Sequence, residues 1–283
     1  MTNYQTLSIT VTDHVAHVKL DQADKMNAMT GLMFEELGHA FDSLSDRGDV
    51  RAAVLSGGDS KHFTAGLDLQ AAASTLMQPD GDPARLRERL RRLIKNWQDG
   101  LDGADRARFP VIAAIHKGCI GGGVDLVCAC DIRLATEDSW FSIKEIDVGI
   151  VADIGTLQRI GHLLPNGIVR ELAYTGRDFP AKEALAHGFV NHTYSTKEAM
   201  LDAAFAMASK LAKKSPMALS GTKQVLNHAR DHSIQDGLDY VATWNSGMLL
   251  GDDVQKAVMA MMQKQDPDFD DLMVYEPDMD KKA

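Results

Sequence analysis

Pro110-Val111-Ile112-Ala113-Ala114-Ile115, then Gly118-Cys119-Ile120-Gly121-Gly122-Gly123-Val124-Asp125-Leu126, then Cys130-Asp131-Ile132-Arg133-Leu134-Ala135, is the stretch that decides the fold. The apolar run after the proline predicts a buried strand. The glycine triplet leads into a helix over 122–129, and 132–135 reads as strand again. This strand–turn–helix–strand unit makes the chain α/β.

The same alternation extends in both directions. Residues 7–11 and 14–20 alternate apolar and polar around Thr12-Asp13, the period of paired, half-buried strands. A helix begins at Thr30 as N-cap, with Leu32, Met33, Leu37, Ala40, Phe41 and Leu44 on its apolar face. Ala52-Ala53-Val54-Leu55 is a short strand ending at Gly57-Gly58. Residues 83–108 read as a basic helix, whose charge run has the texture of a solvated face, and residues 70–83 before it read as a mobile loop.

Strand–helix alternation continues to about residue 193. Consecutive helices then follow at 196–214, 216–230, 233–248 and 252–264, broken at Ser215-Pro216, Ser233 and Gly251. The expected organisation is a core over 1–195, a helical subdomain over 196–265 and an acidic tail over 266–283. No fixed-period repeat occurs, nor Gly-x-Gly-x-x-Gly or a P-loop, so nucleotide-binding readings lose their main support.

Composition narrows the function. The 283 residues are 45% hydrophobic and 25% charged, as in a globular protein. Lys plus Arg number 30 against 40 Asp plus Glu, a net charge of −10, the wrong sign for gripping phosphates, so nucleic acid is not an expected partner. Half of the imbalance lies in the tail, read as solvated. No window approaches the run needed to span a bilayer, and no secretory, Arg-rich transit or Ser-Lys-Leu signal is found; the expected setting is cytoplasmic, without membrane association.

Cys119, Cys128 and Cys130 lack zinc or redox spacing and read as small buried hydrophobes. The ten histidines contain no His-Glu-x-x-His. No metal site is expected.

Two loops are candidates for chemistry. Phe63-Thr64-Ala65-Gly66-Leu67-Asp68-Leu69 follows a buried strand, and Gly66 permits a sharp turn. The glycines at 121–123 leave free N–H groups at the positive end of a helix, where an oxyanion is stabilised. The alternative reading of these glycines is tight helix–strand packing. Nearby acids add weight: Asp125 in the apolar helix, Glu145 among hydrophobes, and Asp153 eight residues on. Burial tunes a carboxyl toward proton exchange near neutral pH. Each also has a structural reading: Asp125 complementing the helix dipole, Asp153 capping the next helix, and Glu145 pairing with a surface lysine.

Asp24-Lys25-Met26-Asn27-Ala28-Met29, Phe63 to Leu69, Gly121-Gly122-Gly123-Val124-Asp125-Leu126 and Cys130-Asp131-Ile132-Arg133, in this order, resemble the crotonase (enoyl-CoA hydratase/isomerase) superfamily. The resemblance covers residues 5–265. Residues 144–159 look more narrowly like its Δ3,5-Δ2,4-dienoyl-CoA isomerase branch. It implies a crotonase-like spiral of ββα turns with a helical C-terminal trimerisation region, an acyl-CoA substrate, and a homotrimer or a homohexamer formed as a dimer of trimers. It further implies oxyanion donors at Leu67 and Gly122, with Ala65, Gly66, Leu67, Asp68, Leu69 and Gly122 binding the substrate. Glu145 would be the base at C2, Asp153 the acid at C6, and Asp125, the third member of the catalytic set, a polar, positioning or water-excluding group beside them. No metal, nucleotide or flavin cofactor is implied; coenzyme A belongs to the substrate.

The implied reaction moves the double bonds of a 3,5-dienoyl-CoA to the 2,4 positions in fatty acid degradation. The nearest alternative is enoyl-CoA hydratase, whose two glutamates at the positions of Asp125 and Glu145 hold water; here the first is the shorter Asp. Simple Δ3-Δ2-enoyl-CoA isomerases, needing one principal acid/base, come third. A non-catalytic crotonase-fold binding protein is the alternative from another class.

Overall fold

The computed structural model describes residues 3–76 and 81–275. β1 (Leu7–Thr12) and β2 (Val15–Leu20) form an antiparallel hairpin. Its two turn residues, Asp13 and His14, both have positive φ, and this mirror-image turn matches the twist of paired strands. α1 (Gly31–Asp46) is capped by Thr30, whose hydroxyl accepts the Met33 N–H. Next come β3 (Ala52–Ser56), α2 (Leu69–Leu76), α3 (Pro83–Arg106), β4 (Val111–Ile115), β5 (Gly118–Ile120), α4 (Gly122–Cys128), β6 (Ile132–Thr136) and β7 (Trp140–Ser142). α5 (Thr156–Arg159), α6 (Asn166–Thr175), β8 (Phe179–Pro180), α7 (Ala181–Ala186) and β9 (His192–Tyr194) complete the alternating part. Four helices follow: α8 (Lys197–Ala212), α9 (Pro216–Ala229), α10 (Ile234–Met248) and α11 (Asp252–Gln263).

The larger sheet has the order β1-β2-β3-β4-β6-β9, parallel from β2 onward. A smaller sheet runs β5-β7-β8, and Thr64 adds a bridge to Cys119 at its edge. Each of the turns β4–β5 and β6–β7 therefore gives one strand to each sheet, the repeating step of a spiral. Neighbouring residues of the central strands point to opposite cores. Ala53, Leu55, Val111, Ala113 and Ile115 face the main core with α1, whereas Val54, Ile112, Ala114 and Leu134 face Met200, Ala204, Ala208 and Ala212 of α8. Covering on both faces explains the unbroken apolar runs. The alanines at i, i+4 and i+8 form a flat stripe that lets α8 lie close to the sheet.

α3 crosses α1 at glycines: a Cβ on Gly100 would lie 2.2 Å from the Phe34 carbonyl oxygen, and one on Gly103 would lie 3.1 Å from the Gly38 Cα. Phe34 and Trp97 pack beside this crossing with centroids 5.2 Å apart.

Three expectations change. Leu32 turns outward, 39% exposed, and Phe34 takes the inner place, because α1 packs on α3 as well as on the sheet. The stretch expected to be a loop over 70–83 begins as α2: Asp68 accepts N–H bonds from Gln70 and Ala71 and so starts the alanine run as a helix, and α3 begins at Pro83. Residues 77–80 of that stretch lie outside the described residues. The tail over 266–275 is tied down rather than freely solvated. Arg51, 7% exposed, donates to the Ala212 and Phe269 carbonyls and to Asp271, and Leu272 and Tyr275 donate backbone N–H bonds to Gly48 and Asp46. Residues 276–283 lie outside the described residues.

Candidate active site

Four segments at strand ends meet around one cavity of about 240 Å³. Crevices at the carboxyl ends of parallel strands are where α/β sheets expose backbone to ligands. The first segment is the 63–69 loop beyond β3. Gly66 has φ +82°, and a Cβ there would lie 2.8 Å from the Ile120 carbonyl oxygen, so only glycine lets this loop lie against the next one. Its neighbours' N–H groups are engaged: Ala65 with the Met26 carbonyl, Gly66 with the Thr64 hydroxyl, Asp68 with the Met29 carbonyl. Among the described residues the Leu67 N–H has no such acceptor.

The second segment is the start of α4. Gly121, at φ +51°, donates to the Ser142 carbonyl, and the Gly122 N–H, in the first turn of the helix, has no acceptor among the described residues. Gly123 is required by packing, since a Cβ there would meet Thr64 Cγ2 at 2.2 Å. An unengaged N–H and a packing demand thus fall at different glycines of the triplet.

The third segment is the 3₁₀ turn Lys144–Val148, which carries Glu145. Glu145 Oε1 lies 3.1 Å from where a Gly121 Cβ would stand, which places the carboxyl against Gly121. Glu145 Oε2 is buried without a hydrogen-bond partner. Burial, reinforced by the charge of Asp153, raises its pKa above the usual carboxylate range. The fourth segment, 149–155, brings Asp153 to the same cavity, where burial raises its pKa too.

Of the residues singled out from sequence, Ala65, Gly66, Leu67, Leu69, Gly122, Glu145 and Asp153 all line the cavity. Asp68 does not; its side chain caps α2. Asp125 stands behind the wall, fully buried. Its Oδ1 accepts the Thr156 N–H while Oδ2 has no partner, so Asp125 rather than Asp153 secures the start of α5. Burial, then the charge of Glu145, pushes its pKa up to about 7. The basic helix α3 is more than a solvated face: Leu90, Ile94 and Trp97, at i, i+4 and i+7, wall the cavity. That spacing was the signal for it. Cys119, Cys128 and Cys130 are buried free thiols whose pKa values burial raises. No group of three or more potential metal-ligating side chains occurs among the described residues.

The arrangement places two carboxyls and two free N–H donors on an apolar cavity, the parts needed to polarise a carbonyl and move protons beside it. The profile of the family described as enoyl-CoA hydratase/isomerase matches residues 10–272. The chain belongs to the enoyl-CoA hydratase/isomerase family. It is 48% identical over 267 residues to Delta(3,5)-Delta(2,4)-dienoyl-CoA isomerase, mitochondrial, of Mus musculus, covering 93% of this chain and 81% of that one. Identity to the peroxisomal protein of the same name from Arabidopsis thaliana is 43% over 274 residues, covering 95% and 98%. Among solved structures, a putative enoyl-CoA hydratase from Streptomyces coelicolor A3(2) superposes with a TM-score of 0.87 at 26% identity, covering 95% of this chain and 96% of that one. The crotonase fold read from the sequence is the fold of this family member.

Proposed function

We propose that the protein is a Δ3,5-Δ2,4-dienoyl-CoA isomerase acting in fatty acid degradation. The observation that carries this reading is the pairing of Glu145 and Asp153 on one apolar cavity that also holds the unengaged amides of Leu67 and Gly122. Those amides donate hydrogen bonds to the thioester oxygen as an oxyanion hole, and charge moves onto that oxygen as Glu145 removes the C2 proton. The electron pair of the broken C2–H bond spreads along the chain as a dienolate. Asp153 delivers a proton to C6, leaving double bonds at C2–C3 and C4–C5. The raised pKa values suit both carboxyls, since one must begin ionised and the other protonated, and the charge of Asp153 helps raise that of Glu145.

Asp125 separates this reading from hydration. Its carboxyl is off the cavity wall with Oδ1 taken by the Thr156 N–H, and it is an aspartate where the hydratase reading calls for a second glutamate. Its role is electrostatic, through Glu145. The backbone of 65–69 and of Gly122 binds the acyl-CoA, and no further cofactor enters.

The functional unit in this proposal is a homotrimer or a dimer of trimers, assembled through the 196–265 region. The support is the apolar surface that α10, α11 and the turn between them leave uncovered in one chain: Ile234, Leu238, Leu250, Met261 and Met262 are all more than half exposed. No helix among the described residues is long and apolar enough to cross a membrane. A cytoplasmic setting is also part of the proposal, although the relatives' names place them in mitochondria and peroxisomes. The test is incubation with a 3,5-dienoyl-CoA and, separately, a 2-enoyl-CoA: conjugation without hydration supports the isomerase, and hydration without conjugation favours the hydratase.

A further inference from the structure

Asp153 sits between Ala152 and Ile154, both buried in the core, on a segment whose backbone makes few hydrogen bonds. Residues 149–153 form no helix or strand, Val151 is 72% exposed, and Gly155 has φ +139°. Among the described residues, the backbone of 151–154 receives one hydrogen bond from another residue: Gln98 Nε2 donates to the Asp153 carbonyl oxygen at 2.6 Å. Gln98 is itself oriented, since Lys95 Nζ donates to its Oε1 at 2.7 Å. A side-chain amide whose oxygen is taken by an ammonium presents its N–H₂ in a fixed direction.

Gln98 lies on α3 next to Trp97, two residues before Gly100, where α3 is locked against α1. Trp97 and Ile94 of the same helix wall the acyl cavity. One rigid element therefore carries both the surface an acyl chain packs on and the donor that fixes the backbone of the C6-side carboxyl. We infer that Gln98 is a positioning residue that sets Asp153 against the acyl wall for proton delivery at C6. It touches no reacting atom; it acts through the Asp153 backbone, and a displacement of about 1 Å in a catalytic group costs on the order of 10²-fold in rate. The inference rests on the proposed role of Asp153.

That role predicts an unequal effect on the two proton transfers. Glu145, on its own 3₁₀ turn, still exchanges the C2 proton, whereas delivery at C6 slows. The test is Gln98→Met, which keeps the size and loses the donor, with Gln98→Asn, which keeps the amide one methylene short, and Asp153→Asn as reference. Each is assayed in D₂O for deuterium entry at C2 of a 3,5-dienoyl-CoA and for 2,4-dienoyl-CoA formation. Both Gln98 variants are expected to lose about tenfold or more in kcat for isomerisation, with KM and C2 exchange within about twofold of wild type. Wild-type kcat in both, or exchange falling in parallel with isomerisation, overturns the inference. If Asp153→Asn itself isomerises normally, the role of Asp153 falls and the inference with it. If Asp153→Asn fails only at C6 while the Gln98 variants behave as wild type, the inference alone falls.

Discussion

Asp125→Asn is expected to stabilise the protein, and to do so increasingly as pH rises. Asp125 is 0% exposed, its Oδ2 has no partner, and burial followed by the Glu145 charge pushes its pKa from 3.8 to about 7. A carboxyl whose pKa is higher folded than unfolded binds more protons in the native state, so its contribution to stability declines as pH rises through the window from 3.8 to about 7 and is flat above it. Roughly three pKa units at about 1.4 kcal/mol each set the penalty near 4 kcal/mol at pH 8. At pH 5 only about 1–2 kcal/mol of it has developed. Asparagine keeps an oxygen for the Thr156 N–H and carries no charge, so the stability gap between variant and wild type should widen by about 2–3 kcal/mol between pH 5 and pH 8. Urea unfolding of both proteins at matched concentration and both pH values measures it. A gap that stays constant with pH, or narrows, would show that Asp125 is not held at a raised pKa and would refute the electrostatic picture of the site.

Further outcomes follow from the same geometry. Glu145→Gln and Asp153→Asn should each abolish isomerisation while leaving the assembly state unchanged in light scattering, and Asp125→Asn should cost less activity than either; full turnover in one of the first two removes that residue from the mechanism. Gly66→Val forces a side chain onto a φ of +82° and onto the Ile120 carbonyl, so it should displace the Leu67 donor and lower kcat by about 10²–10³-fold, the loss of about 2.7–4 kcal/mol seen when one oxyanion donor goes. Arg51→Ala leaves the Ala212 and Phe269 carbonyls without their donor and should destabilise by about 2–4 kcal/mol in urea, with faster proteolysis of the 266–275 segment.

Much of this was legible in the sequence because periodicity reports burial. The hairpin around Asp13, the α1 cap at Thr30, the buried β4 and the four terminal helices all follow from local pattern and punctuation. The candidate site was legible wherever chemistry and backbone demand coincide, as at Gly66, Gly122 and Glu145. Roles set by tertiary partners were not. Asp125 secures a helix 31 residues away, Arg51 clasps a segment 220 residues away, and Gln98 reaches Asp153 across 55 residues, none of which leaves a local trace. Leu32 and Phe34 exchanged places because α1 has two packing partners where its apolar face suggested one. α2 did carry a signal, Asp68 before an alanine run, but the same aspartate also fitted a ligand loop, and only the hydrogen bonds to Gln70 and Ala71 separate the two readings.

The central claim is that two carboxyls on one cavity remove a proton at C2 and deliver another at C6 of a bound dienoyl thioester. It is tested most directly by adding the purified protein to a 3,5-dienoyl-CoA in D₂O and following the conjugated 2,4-dienoyl-CoA absorbance together with the position of the label. The account predicts conjugation, with deuterium entering at C6 as the double bonds shift and label at C2 only through exchange before the shift. Absence of conjugation while a 2-enoyl-CoA is hydrated would contradict it and return Glu145 to the role of a water-holding residue.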